Sequence, residues 1–271
     1  MNQDLKARVP AGILYVLVIA GATLYGPIST TILLLIFFGL SLSEFTSASV
    51  GSQSSKSIYI NGTAIVLTTL SLTSFIAEQN ITAIIIIVCL ALMANIFYLI
   101  HSKKSMASSK WTLLVAMVWL CLPFLISIIL VQQSKVFPLV ILGTFIIVWL
   151  NDAGAYFTGK AFGKNKLFPS VSPSKTWEGL IGGGICGILI SIAIYNLVGA
   201  LPLSSWIILS IIIWVIGSYG DLVESSWKRQ LGLKDSGTLM KGHGGFLDRL
   251  DSFVYAIPFV SLYYVLWHSA N

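Results

Sequence analysis

Residues 80–100 read NITAIIIIVCLALMANIFYLI and contain no charged side chain. About 20 consecutive apolar residues are what a helix needs to cross the hydrocarbon core of a bilayer. The whole chain has the same character, since 56% of its residues are hydrophobic and 10% are charged. Soluble domains carry roughly 25% charged residues, because water must solvate their surface. The sequence therefore predicts an integral membrane protein.

Similar apolar runs on both sides of this one predict an all-α polytopic membrane protein with about nine transmembrane helices. The predicted spans are residues 9–26, 27–43, 58–77, 80–100, 112–131, 136–151, 179–199, 203–220 and 252–268. A serine-rich linker occupies 44–57, and two longer polar segments occupy 152–178 and 221–251. We divide the chain into N-terminal transmembrane scaffold helices, 1–150, and a C-terminal catalytic transmembrane region, 151–271, which contains both polar segments.

The basic residues indicate the orientation in the membrane. With a cytoplasmic N-terminus and nine crossings, all but one, Lys135, of the 16 Lys and Arg residues face the cytoplasm. Cytoplasmic loops carry an excess of Lys and Arg. We therefore expect the cell (inner) membrane as location, with a polar active-site cavity facing the cytoplasm. The net charge of +6 does not indicate nucleic-acid binding, because the basic residues are spread over many loops and form no single stripe.

The acidic residues are concentrated in the two polar segments, which hold seven of the ten. Carboxylates near hydrocarbon are costly and usually bind a cation or a basic partner. Asp221 and Glu224 are three residues apart and share one face of a helix. Asp248 and Asp251 do the same at the start of the last span, beyond a glycine-rich basic stretch.

Carboxylate oxygens are the ligands that Mg²⁺ prefers, and it completes its shell with water or phosphates. Gly244 and Gly245 let backbone N–H groups approach a phosphate closely. These residues predict a divalent-metal and phosphate site. The alternative is a set of interlocked salt bridges that holds the cytoplasmic face together.

Two further elements lie upstream. Asp152 is followed by small residues and lysines, which suits a phosphate or a metal but also an ordinary cytoplasmic helix end. In the stretch from Ser172 to Gly179, Ser174 is predicted to cap a helix, and Lys175 would add a full charge beside its N-terminus. The glycines at 179, 183 and 187 indicate close helix packing.

The segment 225–251 resembles the signature of phosphatidate cytidylyltransferases, also called CDP-diacylglycerol synthases. The positions that match are Ser225, Lys228, Arg229, Lys234, Asp235, Gly237, His243, Gly244, Gly245, Asp248, Arg249 and Asp251. The elements that begin at Asp152 and at Ser172 are similar to that family too, in the same order. The resemblance implies that CTP and phosphatidate react to give CDP-diacylglycerol and pyrophosphate. It also implies that membrane lipids surround the protein as partners.

The resemblance also implies roles for individual residues. Mg²⁺, with a second cation as an option, would be held by Asp221 and Asp248, supported by Asp251 and Glu224. The catalytic group would comprise Asp221, Asp248, Lys175, Arg249 and His243, the last in a positioning or phosphate-contact role. Substrate contacts would come from Asp152, Ser172, Lys175, Lys228, Arg229, Lys234, Gly244 and Gly245.

Two other functions remain open from the sequence. The first is an ion-coupled transporter or channel, in which intramembrane carboxylates bind a translocated ion, although no inverted repeat is visible. The second is a related CTP-dependent enzyme that acts on another lipid. A homo-oligomer is an open expectation in each case.

Overall fold

The computed structural model describes residues 3–50, 81–102, 116–237 and 244–270. Helices make up most of this part of the chain. They are α1 (Gln3–Tyr25), α2 (Pro27–Val50), α3 (Ile81–Ser102), α4 (Leu122–Gln133), α5 (Phe137–Phe162), α6 (Trp177–Val198), α7 (Leu203–Ile212), α8 (Ser218–Gln230) and α9 (Asp251–Ala270). Two π-helical turns, Met117–Cys121 and Ile213–Gly217, lead into α4 and α8.

Six of the described helical segments are long and apolar enough to cross a membrane, and two shorter apolar helices, Pro10–Tyr25 and Val118–Gln133, accompany them. These segments coincide with every predicted span except 58–77, which lies outside the described residues. The membrane character is therefore confirmed, whereas the total of nine spans stays a prediction.

Three helices run further than predicted. α2 continues to Val50, α5 to Phe162, and the helical segment from Leu203 to Gln230 passes well beyond residue 220. The prediction ended each helix where its side chains became polar. A helix satisfies its own backbone hydrogen bonds, so it continues into polar sequence when those side chains face polar surroundings. The predicted span ends at residue 220, which would place Asp221 at the end of a helix. In the structure Asp221 lies within the helical segment instead.

A two-stranded hairpin departs from the all-α prediction. Strand β1 (Lys166–Phe168) pairs antiparallel with β2 (Ser172–Thr176), directly before α6. The predicted cap, Ser174, lies within β2, and Thr176 caps α6 instead by accepting a 3.1 Å hydrogen bond from Gly179 N. A capping residue must directly precede the first helical residue, and only Thr176 does. Lys175 is thus held by a strand one residue before the cap.

Helices α5 and α6 pack closely through the predicted small residues. A Cβ at Gly179 would lie 2.8 Å from the Ala155 carbonyl oxygen, and one at Gly183 would lie 2.6 Å from Asn151 Oδ1. Gly187 instead meets Ser210 of α7. The expected packing role of these glycines is confirmed. Close approach of the two helices brings the end of α5 beside the hairpin that carries Lys175.

Aromatic side chains join the N-terminal helices to the C-terminal half. The ring of Phe246 lies 4.9 Å from that of Phe37 on α2, in an edge-to-face arrangement. Trp227 of α8 stacks on Phe45 of α2, with 4.9 Å between ring centroids, and meets the edge of Trp119 at 5.7 Å. Such pairs stabilise beyond the burial of their area. The second half of α2 is therefore fixed against both α8 and the segment that precedes α9.

Candidate active site

A cavity of about 530 Å³ lies where α5, the hairpin, α8 and the start of α9 meet. Ligand sites commonly have volumes of roughly 300–1,000 Å³. Many of its wall residues are charged. These are Asp152 and Lys160 of α5, Lys175 of β2, Asp221 of α8, Asp248 and Arg249 of the 3₁₀ turn Leu247–Arg249, and Asp251 of α9. The structure thus brings six of the predicted site residues to one cavity.

An ion pair joins the two polar segments across this cavity. Lys175 Nζ lies 2.5 Å from Asp221 Oδ2, and each of these side chains is 27% exposed. Ser225 Oγ donates a second hydrogen bond, of 3.2 Å, to Asp221 Oδ1. Both charged groups therefore remain accessible from the cavity while each holds the other in place.

Lys228 forms a second, deeper ion cluster. Its Nζ lies 2.6 Å from Asp248 Oδ1 and 3.3 Å from Glu224 Oε2. Glu224 is fully buried, and its Oε1 has no hydrogen-bond partner among the described residues. Neither Lys228 nor Glu224 lines the cavity. Lys228 accordingly supports Asp248 from behind the cavity wall.

Asp248 is held on both of its oxygens. Oδ1 accepts from Lys228, and Oδ2 accepts from Gly245 N at 2.7 Å and Ser236 N at 3.1 Å. Burial by itself would raise the pKa of Asp248. The hydrogen bond and charge of Lys228, together with the two backbone N–H groups, outweigh burial and hold that pKa below its ordinary value. These contacts therefore favour the ionised form of Asp248 and fix its position.

The donor set of the cavity suits a hard cation. Asp152, Asp221, Asp248 and Asp251 all reach its wall, and carboxylate oxygens are ligands that Mg²⁺ prefers. Within the described residues, however, no group of three or more Asp, Glu, His or Cys side chains is arranged to hold a metal ion by itself. The carboxylates therefore fit the usual mode of Mg²⁺ binding, in which one or two carboxylates are joined by water or by the phosphates of a ligand.

Several predicted residues lie away from the cavity wall. Ser172 begins β2 and is half-buried, while Arg229 and Lys234 are exposed. Arg229 Nη1 donates to the Leu233 carbonyl oxygen at 2.9 Å and so helps to end α8. His243 lies outside the described residues. The substrate contacts assigned to this group stay predictions.

The two predicted glycines lie beside Asp248. Gly244 has a φ of +87°, a conformation that favours glycine, and a Cβ there would lie 3.0 Å from Asp248 Oδ2. A Cβ at Gly245 would clash with Ser236 Oγ. Both glycines are therefore required by the close packing of this segment, and their predicted contact with phosphate stays a prediction.

One residue of this region was missed by the sequence analysis. Glu44 of α2 accepts hydrogen bonds from Ser236 Oγ and Leu247 N, both of 2.9 Å. The predicted serine-rich linker begins at this residue, and the predicted site does not include it. The sequence offers one signal for Glu44, because it is a carboxylate directly after a long apolar run. A carboxylate there is costly and usually has a polar or charged partner.

Comparison with known proteins points to one family. The model of the cytidylyltransferase family matches residues 6–267. A phosphatidate cytidylyltransferase of Haemophilus influenzae is 49% identical over 129 residues, which cover 46% of this chain and 45% of that protein. Proteins of the same name from Staphylococcus haemolyticus and Staphylococcus aureus are 48% identical over 124 residues, 45% of this chain and 47% of theirs. The chain thus spans about half the length of the curated relatives that it matches, but the family model covers nearly all of it. The chain belongs to the cytidylyltransferase family.

Proposed function

We propose that the chain is a phosphatidate cytidylyltransferase, which converts CTP and phosphatidate into CDP-diacylglycerol and pyrophosphate in the membrane. The ion pair between Lys175 and Asp221 carries this proposal, because it joins the two polar segments at one charged cavity. The names of the relatives support the choice of substrates. The basic residues favour a cytoplasmic opening, where CTP is available.

The chemistry requires no serine or cysteine nucleophile. An oxygen of the phosphatidate phosphate is already deprotonated, and it attacks the α-phosphorus of CTP. A new P–O bond forms, the bond from the α-phosphorus to the bridging oxygen of the β-phosphate breaks, and pyrophosphate leaves with that electron pair. Catalysis then rests on alignment and on neutralisation of charge. Lys175 supplies a point charge, whereas the planar guanidinium of Arg249 suits bidentate contact with phosphate oxygens.

The carboxylates have a separate task. One or two of the carboxylates of Asp221, Asp248 and Asp251, which line the cavity, would hold Mg²⁺, and Asp152 of α5 lines the same cavity. A bound Mg²⁺ ion neutralises phosphate charge that develops during the transfer. Glu224 supports this set indirectly, through Lys228. Asp248 Oδ2 accepts hydrogen bonds from Gly245 N and Ser236 N, which keep the carboxylate in place. The oxygen atoms that would bind Mg²⁺ are thus oriented before the substrates bind.

The decisive test is one incubation of the purified protein in proteoliposomes. With CTP, Mg²⁺ and phosphatidate, we expect CDP-diacylglycerol and pyrophosphate in equal amounts. A parallel incubation with an isoprenoid alcohol in place of phosphatidate is expected to give no product. Ion flux through the same vesicles is expected to equal that of protein-free vesicles. Flux without a lipid product would favour a transporter, and product from the alcohol alone would favour another CTP-dependent lipid enzyme.

Lys175→Ala is expected to lower turnover by about 10- to 100-fold, because it removes a positive charge from the cavity and leaves Asp221 unpaired. The measurement is the initial rate of CDP-diacylglycerol formation at saturating CTP. Lys166→Ala is the matched control, since Lys166 belongs to the same hairpin but is exposed and lies outside the cavity wall. Equal initial rates in Lys175→Ala and Lys166→Ala would exclude a specific role of Lys175 in the reaction.

The proposed orientation predicts the result of cysteine labelling. In a chain whose three native cysteines are replaced by alanine, Lys164→Cys should react only with reagents that reach the cytoplasm. Pro202→Cys, in the exposed connection between α6 and α7, should react with membrane-impermeant maleimide added from outside. Labelling of Lys164→Cys from outside would reverse the orientation and remove the proposed access route for CTP.

A further inference from the structure

Glu44 is a buried carboxylate that belongs to the scaffold half but bonds to the active-site segment. It is 4% exposed, and its Oε2 accepts from Ser236 Oγ and from Leu247 N. These two donors belong to separate stretches, 231–237 and 244–250, which enter and leave the glycine-rich region. One carboxylate oxygen therefore ties the two stretches together.

The surroundings are shaped to admit this carboxylate. A Cβ at Gly237 would lie 2.5 Å from Glu44 Oε1, and one at Gly245 would lie 2.7 Å from Oε2. The next residue on α2, Phe45, stacks on Trp227 of α8 and fixes the rotation of α2. Any side chain at either glycine would push the carboxylate away, so the glycines and Glu44 form one closely packed unit.

The bonds of Glu44 lead directly to Asp248. Ser236 donates its hydroxyl group to Glu44 and its backbone N–H to Asp248, so it bridges the two carboxylates. Leu247, whose N–H also bonds to Glu44, immediately precedes Asp248 in the chain. Moving Glu44 would therefore displace both the side chain and the backbone of Asp248. A carboxylate in an apolar helix is costly, and packing alone would be served better by an apolar residue.

We propose that Glu44 is a positioning residue for the reaction, which holds Ser236 and Leu247 so that Asp248 and Arg249 face the substrates. The inference rests on the proposed function for its catalytic part. It assigns a role in the site to an N-terminal helix, α2, beyond that of a transmembrane scaffold.

The test compares two replacements of similar size. Glu44→Met removes the acceptor but remains compatible with an apolar helix, whereas Glu44→Gln retains an acceptor oxygen at the same reach. We expect kcat to fall by about 10- to 100-fold in Glu44→Met, because small displacements of aligned groups have effects of this size. Glu44→Gln should stay within about fivefold of the parent, since a neutral acceptor preserves most of the hydrogen bond. Equal losses in both variants, or parental kcat in Glu44→Met, would overturn the proposal.

Thr46→Ala is the matched control. Thr46 is similarly buried on α2, but its hydroxyl group bonds only to its own helix, so kcat should not change. Ser236→Ala provides a second variant should Glu44→Met fail to fold. It should lower kcat, and the loss in the double variant Glu44→Gln/Ser236→Ala should be smaller than the product of the two single losses, since both changes affect the hydrogen bond between Ser236 and Glu44. Additive losses would contradict the bridge.

Hydrogen exchange gives a readout that does not depend on activity. Backbone amides in 244–250 should exchange faster in Glu44→Met than in the parent or in Thr46→Ala, because Leu247 N loses its acceptor. Unchanged exchange there would overturn the proposed contact. If the parent makes no CDP-diacylglycerol, the proposed function fails and the catalytic role of Glu44 fails with it. Exchange then still decides whether Glu44 holds this segment.

Discussion

Asp221→Asn is expected to lower the rate of CDP-diacylglycerol formation by at least about 100-fold while the protein remains folded. Asparagine keeps the shape of the side chain but removes the charge that pairs with Lys175 and that would bind Mg²⁺. A 100-fold loss corresponds to about 2.7 kcal/mol of transition-state stabilisation, within what a metal clamp supplies. The measurement is the initial rate over a range of Mg²⁺ concentrations, with thermal unfolding in detergent as the test of folding.

Two comparisons separate the roles of Asp221. If it served only as the partner of Lys175, adding Asp221→Asn to Lys175→Ala would cause no further loss. We expect a further loss, since a metal ligand acts independently of that ion pair. Glu178→Gln makes the same chemical change outside the cavity, where Glu178 accepts from Lys164 N and Asn165 N. Its turnover per folded molecule should match the parent, and near-parental turnover of Asp221→Asn at limiting Mg²⁺ would exclude Asp221 as a ligand.

The positions of the membrane helices could be predicted because hydropathy over about 20 residues is a local property of the chain. The ends of α5 and α8 could not, because they depend on what surrounds the polar side chains. Asp221 is polar, but it faces a cavity and a lysine from another segment, so its helix continues past it. Hydropathy cannot detect such a partner, because Lys175 lies on a different element.

The candidate site could be predicted in its composition but not in its internal arrangement. The many charged residues beside membrane spans predicted that Lys175, Asp221, Asp248 and their neighbours belong to the site. The sequence could not divide the work between Lys228, which is buried behind Asp248, and Lys175, which reaches the cavity. The partner of Glu44 was beyond local reasoning, because Ser236 is 192 residues away. Contacts of that range arise from packing of complete helices, which no short motif encodes.

Lys228→Met is expected to abolish detectable turnover, with a loss of at least about 1,000-fold, and to lower the unfolding temperature. Lys228 Nζ contacts both Asp248 and Glu224, and Lys228 is itself only 7% exposed. Removing one partner of a buried ion cluster costs about 3–5 kcal/mol, because the remaining charges are left uncompensated in a poorly solvated place. The buried Glu224 side chain would then lose its partner beneath the cavity, and Asp248 would lose its closest contact.

A double variant distinguishes loss of folding from loss of position. Lys228→Met/Glu224→Gln also replaces the buried carboxyl group that has lost its partner by a neutral amide, so the unfolding temperature should recover in part. Turnover should not recover, because Asp248 still lacks the bond that holds its Oδ1. Lys135→Met is the matched control, since Lys135 is exposed in the connection between α4 and α5 and should tolerate the change. Turnover that returned together with stability in the double variant would show that Lys228 only balances charge. Stability that returned without turnover would assign Lys228 the task of fixing Asp248 for the reaction.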